Sequence, residues 1–237
     1  MPPSDSKLRV AVFIGPTLHP EQAASLLDAT YLPPIKRGDL ALLPESTQIV
    51  GIVDGEFYQN FSVSTKEILV LLERGISVYG ASSIGALRAV ELERYGMIGV
   101  GSVFRLFRAG YLDRDDEVAL SYAPDTFDAV SEPLVNTRYA LRAAVRIGIL
   151  RATEAGIIIS NLKCLYFPDR TRTILLKIAH ELIGAKRTSA LRDFLATNNL
   201  DLKRLDAMRM LACLLFETRR DPYRGQLEKR PFGNVER

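Results

Sequence analysis

The alternation of apolar patterns over the first hundred residues constrains this chain most. Residues 8–15 (LRVAVFIG) form a short, β-branched run ended by Gly15-Pro16 and read as a buried strand. Residues 48–53 form a second such run, stopped by Asp54-Gly55, and residues 76–79 a third, stopped by Gly80. Between them the period becomes helical. Ala23, Leu26 and Leu27 share a face within residues 22–29. Ser64 and Glu67 have capping-box spacing ahead of Ile68, Leu71 and Leu72, and Gly75 stops that helix. Ser82-Ser83 leads into a further helix carrying Ala86, Leu87 and Val90, which Gly96 ends. Strands and helices alternating at this spacing predict βαβ units and a mainly parallel sheet. Tyr31-Leu32-Pro33-Pro34 reads as a break, and Arg37-Gly38-Asp39 as a turn.

Beyond about Gly110 the strand signal fades. Pro133 precedes a long helix reaching about Ile147, and residues 173–183, 189–196 and 201–218 predict further helices. Residues 157–160 are apolar but too short to classify. No internal repeat is visible. The expected organisation is an α/β (Rossmann-like) region over residues 1–120, a helical region over 121–220 and a flexible tail over 221–237.

Composition narrows the function classes. Cys164 and Cys213 stand far apart and outside any C-x-x-C pattern, which argues against a disulfide framework and a cysteine-built zinc site. No apolar run approaches the ~18–20 residues that span a bilayer, and the first residues lack a basic-then-apolar signal. A cytoplasmic protein that enters no membrane is expected. A formal charge of +3 is too small to imply nucleic acid. The charge is uneven, however: Arg138, Arg142, Arg146 and Arg151 fall in a stretch without acidic residues, just after Asp113, Asp115, Asp116 and Glu117. This asymmetry favours a protein partner with a complementary face.

Open parallel sheets bind ligands beyond the carboxyl ends of their strands. Here those ends are Gly15-Pro16-Thr17, Asp54-Gly55 and Gly80-Ala81-Ser82-Ser83, so polar groups from three segments converge on one edge. Ala81-Ser82-Ser83-Ile84-Gly85 approximates the nucleophile elbow G-x-S-x-G, with Ala81 at the first glycine. A serine there meets the free N–H groups of a helix N-terminus, which can hold an oxyanion. The same position suits an N-cap, and two serines can divide the roles. Lys66 is the candidate base, since a lysine in a first helical turn opposes the helix dipole and a desolvated lysine gives up its proton; the alternative is an ordinary exposed lysine. Asp54 either orients a donor or forms a turn. The two histidines, His19 and His180, support a Ser-His-Asp triad weakly, the first in a loop and the second on a helix of the other half. Asp115-Asp116-Glu117 suits a hard cation or a solvated helix start. Gly99-Val100-Gly101 lacks the third glycine of a dinucleotide fingerprint, Phe104 standing there, and no phosphate-binding loop occurs. No cofactor and no metal are expected.

Several segments together resemble the TfuA-like family. They are residues 12–18, Pro33-Pro34 with Arg37-Gly38-Asp39, residues 52–57, Lys66-Glu67-Ile68-Leu69, residues 80–89 with Glu91-Leu92, residues 96–101 and residues 115–119. The resemblance implies a partner of YcaO enzymes in peptide-backbone thioamidation. Such proteins recruit and stimulate YcaO and hydrolyse the C-terminal thiocarboxylate of a ThiS-like sulfur carrier, releasing sulfide. On these segments the catalytic candidates are Ser83, Lys66 and Asp54, and the binding candidates Gly15, Thr17, Arg37, Asp39, Ser82, Gly85, Arg88 and Glu91. The implied partners are a YcaO protein, the ThiS-like carrier and a precursor peptide or protein; apart from the resemblance, a homo-oligomer is an open expectation. Two departures from the family pattern stand out. Ser64-Thr65 replaces an aromatic residue and a histidine before the lysine, and Ile84 replaces a methionine. A non-catalytic adaptor and an unrelated serine hydrolase are the alternative readings.

Overall fold

The computed structural model describes residues 9–57 and 61–219, so the expected tail over residues 221–237 lies outside the described residues. Five parallel strands, β1 (Arg9–Phe13), β2 (Thr30–Leu32), β3 (Thr47–Ile52), β4 (Ser77–Ala81) and β5 (Ile98–Val100), form one sheet in the order β2-β1-β3-β4-β5. The three predicted strands are β1, β3 and β4. The other two have three residues each, too few to show a period. Tyr31-Leu32, read as a break, pairs with Val12 and Phe13 at the sheet edge, and the following prolines, which have no N–H to donate, end the ladder there.

Residue alternation along the strands divides the core. Phe13, Val50, Ile52 and Val78 join a cluster with α2 (Thr65–Glu73) and α3 (Ile84–Leu92) through Ile68, Leu71, Ala86 and Ala89. Val10, Val12, Ile14 and Ile49 face the other way. On that side α1 (Pro20–Ala24) is only five residues long, and its Ala23 covers little. The cover comes from the far end of the chain. The last described helix, α8 (Leu202–Arg219), lays Ala207, Met210, Leu211 and Leu214 on this face. Gly51 makes the approach possible, since a Cβ there would lie 2.9 Å from Met210 Cε. Asp206, fully buried on α8, accepts from the Val103 N–H at 2.7 Å and so caps α4 (Gly101–Arg108).

Helices α5 (Leu134–Arg146), α6 (Ala152–Lys163) and α7 (Arg172–Thr197) carry a third core cluster that includes Leu141, Ala144, Ile158, Leu162 and Leu191. Residues 157–160 fall inside α6. The two helices expected over residues 173–196 are one run, broken at Gly184, where φ is 75°. The architecture is therefore α/β, with a parallel sheet flanked by helices, followed by a helical C-terminal half.

Candidate active site at the carboxyl edge of the sheet

The strand order reverses between β1 and β3, and a crevice at such a point is where open α/β sheets bind ligands. Asp54, buried just after β3, fills it. Its Oδ2 accepts from the Gly15 and Thr17 N–H groups, each at 3.0 Å, and its Oδ1 accepts from the Thr17 hydroxyl at 2.5 Å. The carboxylate thus ties the end of β3 to the loop after β1.

One strand over, β4 turns sharply into α3. Ser82 takes φ 64°, a left-handed conformation that non-glycine residues rarely adopt. The turn is tight because α3 presses on the sheet. An added Cβ at Gly85 would lie 1.8 Å from Ile52 O, and one at Gly80 2.1 Å from Gly85 O. Gly80 therefore does the close-approach work of an elbow's first glycine, which is why Ala81 is tolerated beside it. Neither serine caps α3 as expected of an N-cap. Ser82 Oγ donates to Lys203 O at 2.6 Å, and Ser83 Oγ points to Val118 O at 3.5 Å.

The group beside Ser83 is Lys203, from the first turn of α8. It is 1% exposed, and its Nζ donates to Ser83 Oγ at 3.1 Å and to Val118 O at 2.8 Å, with Asp54 Oδ1 at 4.0 Å. Burial pushes the Lys203 pKa below the ordinary lysine value, while the negative charges of Asp54 and Asp201 oppose the shift. The lysine is also held by its backbone. Its N–H donates to Asn136 Oδ1 at 3.0 Å, and Asn136 Nδ2 donates to Asp201 Oδ1 at 2.8 Å. Thr17, Asn136 and Lys203 form part of the wall of a cavity of about 800 Å³ between the sheet edge and the helical half. Ser83 itself is 2% exposed, beneath Val118. A serine hydroxyl within hydrogen-bond reach of a desolvated lysine, at a helix N-terminus, is an arrangement suited to acyl transfer.

Gly15, Thr17, Asp54, Ser82, Ser83 and Gly85 are thus brought together, and the remaining sequence candidates lie elsewhere. Lys66 is exposed on the first turn of α2. Arg37, Arg88 and Glu91 line a separate cleft of about 740 Å³. There Arg88 is committed to Val63 O, Ser62 Oγ and Glu91. Asp39 accepts from the Lys36 N–H at 2.7 Å, closing the turn read at Arg37-Gly38-Asp39. The capping box at Ser64 and Glu67 is formed. His19 contacts Thr126 O, and His180 is exposed on α7. Two of the three residues of the acidic run, Asp116 and Glu117, are taken up by arginines. Arg138 makes a bidentate pair with Glu117 at 2.9 and 2.7 Å, and buried Arg170 pairs with Asp116 at 2.6 Å.

Lys203 escaped the reading of the sequence, although the criterion that singled out Lys66 applies equally to it. Both stand in a first helical turn, where the dipole disfavours a cation.

A family model described as TfuA-like protein matches residues 54–171, about half of the chain. The matched stretch begins at Asp54 and contains Ser82 and Ser83, whereas Gly15, Thr17 and Lys203 lie outside it. No curated protein matches the chain.

Proposed function

Because the chain belongs to the TfuA-like family, we propose that it releases sulfide from the C-terminal thiocarboxylate of a ThiS-like carrier, in support of YcaO-dependent thioamidation, with Ser83 as nucleophile and Lys203 as its base. The observation that carries this reading is the 3.1 Å contact between Lys203 Nζ and Ser83 Oγ, both buried. A serine hydroxyl is a weak nucleophile until a neighbouring group takes its proton, and a lysine does so only when neutral. Burial favours that neutral form of Lys203.

In the proposed sequence Ser83 Oγ attacks the thiocarboxylate carbon while its proton passes to Lys203 Nζ. The tetrahedral oxyanion lies beside the Ile84 N–H, since the N–H groups of Ser83, Gly85 and Ala86 donate to the carbonyls of Ala81, Val53 and Ser83. Its collapse breaks the carbon–sulfur bond, and the Lys203 proton leaves with the sulfur as HS⁻. Water, deprotonated by neutral Lys203, then hydrolyses the seryl ester to serine and a carboxylate, and the remaining proton goes to solvent. Asp54, 4.0 Å from Nζ, balances the ammonium formed on the way. A YcaO protein and a peptide or protein substrate are the partners in this reading, and no cofactor takes part.

The test is sulfide release from thiocarboxylated carrier by wild type, Ser83→Ala, Lys203→Met and Lys66→Ala. Loss in the first two with retention in Lys66→Ala is expected. Full activity in Ser83→Ala would sink the assignment. One observation favours a second reading, a non-catalytic adaptor: Ser83 is 2% exposed beneath Val118. In that case all four proteins release no sulfide yet stimulate a YcaO enzyme equally.

A further inference from the structure

The arginines of α5 find their setting in a groove of about 730 Å³ between α5 and α6. Four cations stand along it, Arg138, Arg142 and Arg146 from α5 and Lys163 from α6. Two are answered within the fold, Arg138 by Glu117 at 2.7 Å and Lys163 by Asp113 at 3.1 Å. Arg142 and Arg146 are exposed, and among the described residues neither has a carboxylate within salt-bridge distance. They lie four apart, so their charges repel along one face of the helix. Nothing within the described fold relieves that repulsion.

The shape of the groove adds a second constraint. On α6, Ala152, Gly156 and Ser160 recur every four residues along it, so small side chains leave a continuous trough. Gly156 is open to the extent that an added Cβ would meet nothing within 4 Å. The floor is apolar, made by Leu141, Val145 and Ile159. The trough follows the 12 residues of α6 and is therefore about 18 Å long, the length of a three-turn helix.

We propose that this groove docks an acidic amphipathic helix of a partner protein, its carboxylates on Arg142 and Arg146 and its apolar side chains on Val145 and Ile159. Charge and floor together select this occupant. A nucleic acid would need phosphate contacts along a run of free cations and aromatic faces for stacking. Here two of the four cations are already paired, and among the described residues no aromatic side chain lines the groove. The docking does not depend on chemistry at Ser83.

The probe is a fluorescein-labelled peptide of about 14 residues, long enough for three helical turns, with glutamates on one face and leucines on the other. Anisotropy is read at low and at physiological salt. Wild type and Ser83→Ala are expected to bind it, more weakly as salt rises. The double variant Arg142→Glu/Arg146→Glu should lose at least about tenfold in affinity. Gly156→Leu fills the trough without burying a new polar group and should lose a similar factor, whereas Lys66→Glu, a charge reversal elsewhere, should change little. Arg138 is left intact because it holds buried Glu117. Absence of peptide binding, or equal binding by the double variant or by Gly156→Leu, overturns the proposal. Competition by oligouridylate of equal charge assigns the groove to nucleic acid and overturns it as well.

Discussion

Lys203 and Ser83 are separated by 120 positions in the chain yet share a hydrogen bond at 3.1 Å. If the lysine serves as base, only its neutral form acts, so the rate should rise with pH through the lowered lysine pKa and then level off. Lys203→Arg keeps a cation that cannot give up its proton and should be as inactive as Lys203→Met. Either variant, like Ser83→Ala, should lose about a thousandfold or more in sulfide release. The same burial has a stability signature of determined sign. Between its lowered folded pKa and the ordinary value of 10.5, the unfolded chain binds a proton that the folded one does not, so stability rises with pH. Lys203→Met should therefore flatten that rise in denaturant titrations run across alkaline pH. A rise of unchanged slope in the variant would place its origin in another group. Ser82→Ala removes the bond to Lys203 O and should cost about 1 kcal/mol.

Two elements answer directly to single residues. The helix α3 sits close enough to the sheet that a Cβ at Gly85 would lie 1.8 Å from Ile52 O. Backbone cannot yield as a flexible side chain does, so Gly85→Ala should destabilise by at least about 3 kcal/mol in chemical unfolding. A neutral result would mean that α3 shifts freely off the sheet. The start of α6 depends on Glu154, which accepts from the Arg151 N–H at 2.7 Å and from both terminal nitrogens of Arg187 at 2.8 and 2.6 Å. The hydrogen bonds from Arg187, then the one from Arg151, lower its pKa from 4.5 to about 2. A depressed carboxylate contributes stability that is present above the unfolded pKa and lost on acidification. Thermal melts should therefore fall between pH 4.5 and about 2, and Glu154→Gln should remove that part of the fall.

At the scale of the whole molecule, the N-terminal sheet is completed by the last helix described. Ala207, Met210, Leu211 and Leu214 of α8 cover the face that the five-residue α1 leaves open, and Asp206 caps α4. A chain ending before α8 would expose a sheet face lined by Val10, Val12 and Ile49. Such a chain should bind a hydrophobic dye and lose its cooperative thermal transition, because burial of apolar surface is the main driving force for folding. Retention of a sharp transition would show that the sheet folds without α8. The return of α8 also delivers Lys203, so the same truncation should abolish any chemistry that Ser83 performs.

The parallel α/β half is legible in the residue order alone, because strand and helix periods are written in neighbouring residues and need only four to eight of them to be read. β1, β3, β4, α2 and α3 were legible on that basis, as was the convergence of Gly15, Thr17, Asp54 and Ser83 on one edge, which follows from the direction of parallel strands. The three-residue strands β2 and β5 were not, since three residues show no period. Which lysine loses its water depends instead on packing between distant parts of the chain. Lys66 and Lys203 occupy equivalent first-turn positions, and nothing local separates them. One faces solvent and the other is buried at the sheet edge against Asn136 of α5 and Val118. Desolvation is a property of everything packed around a side chain, and residues distant in sequence supply it.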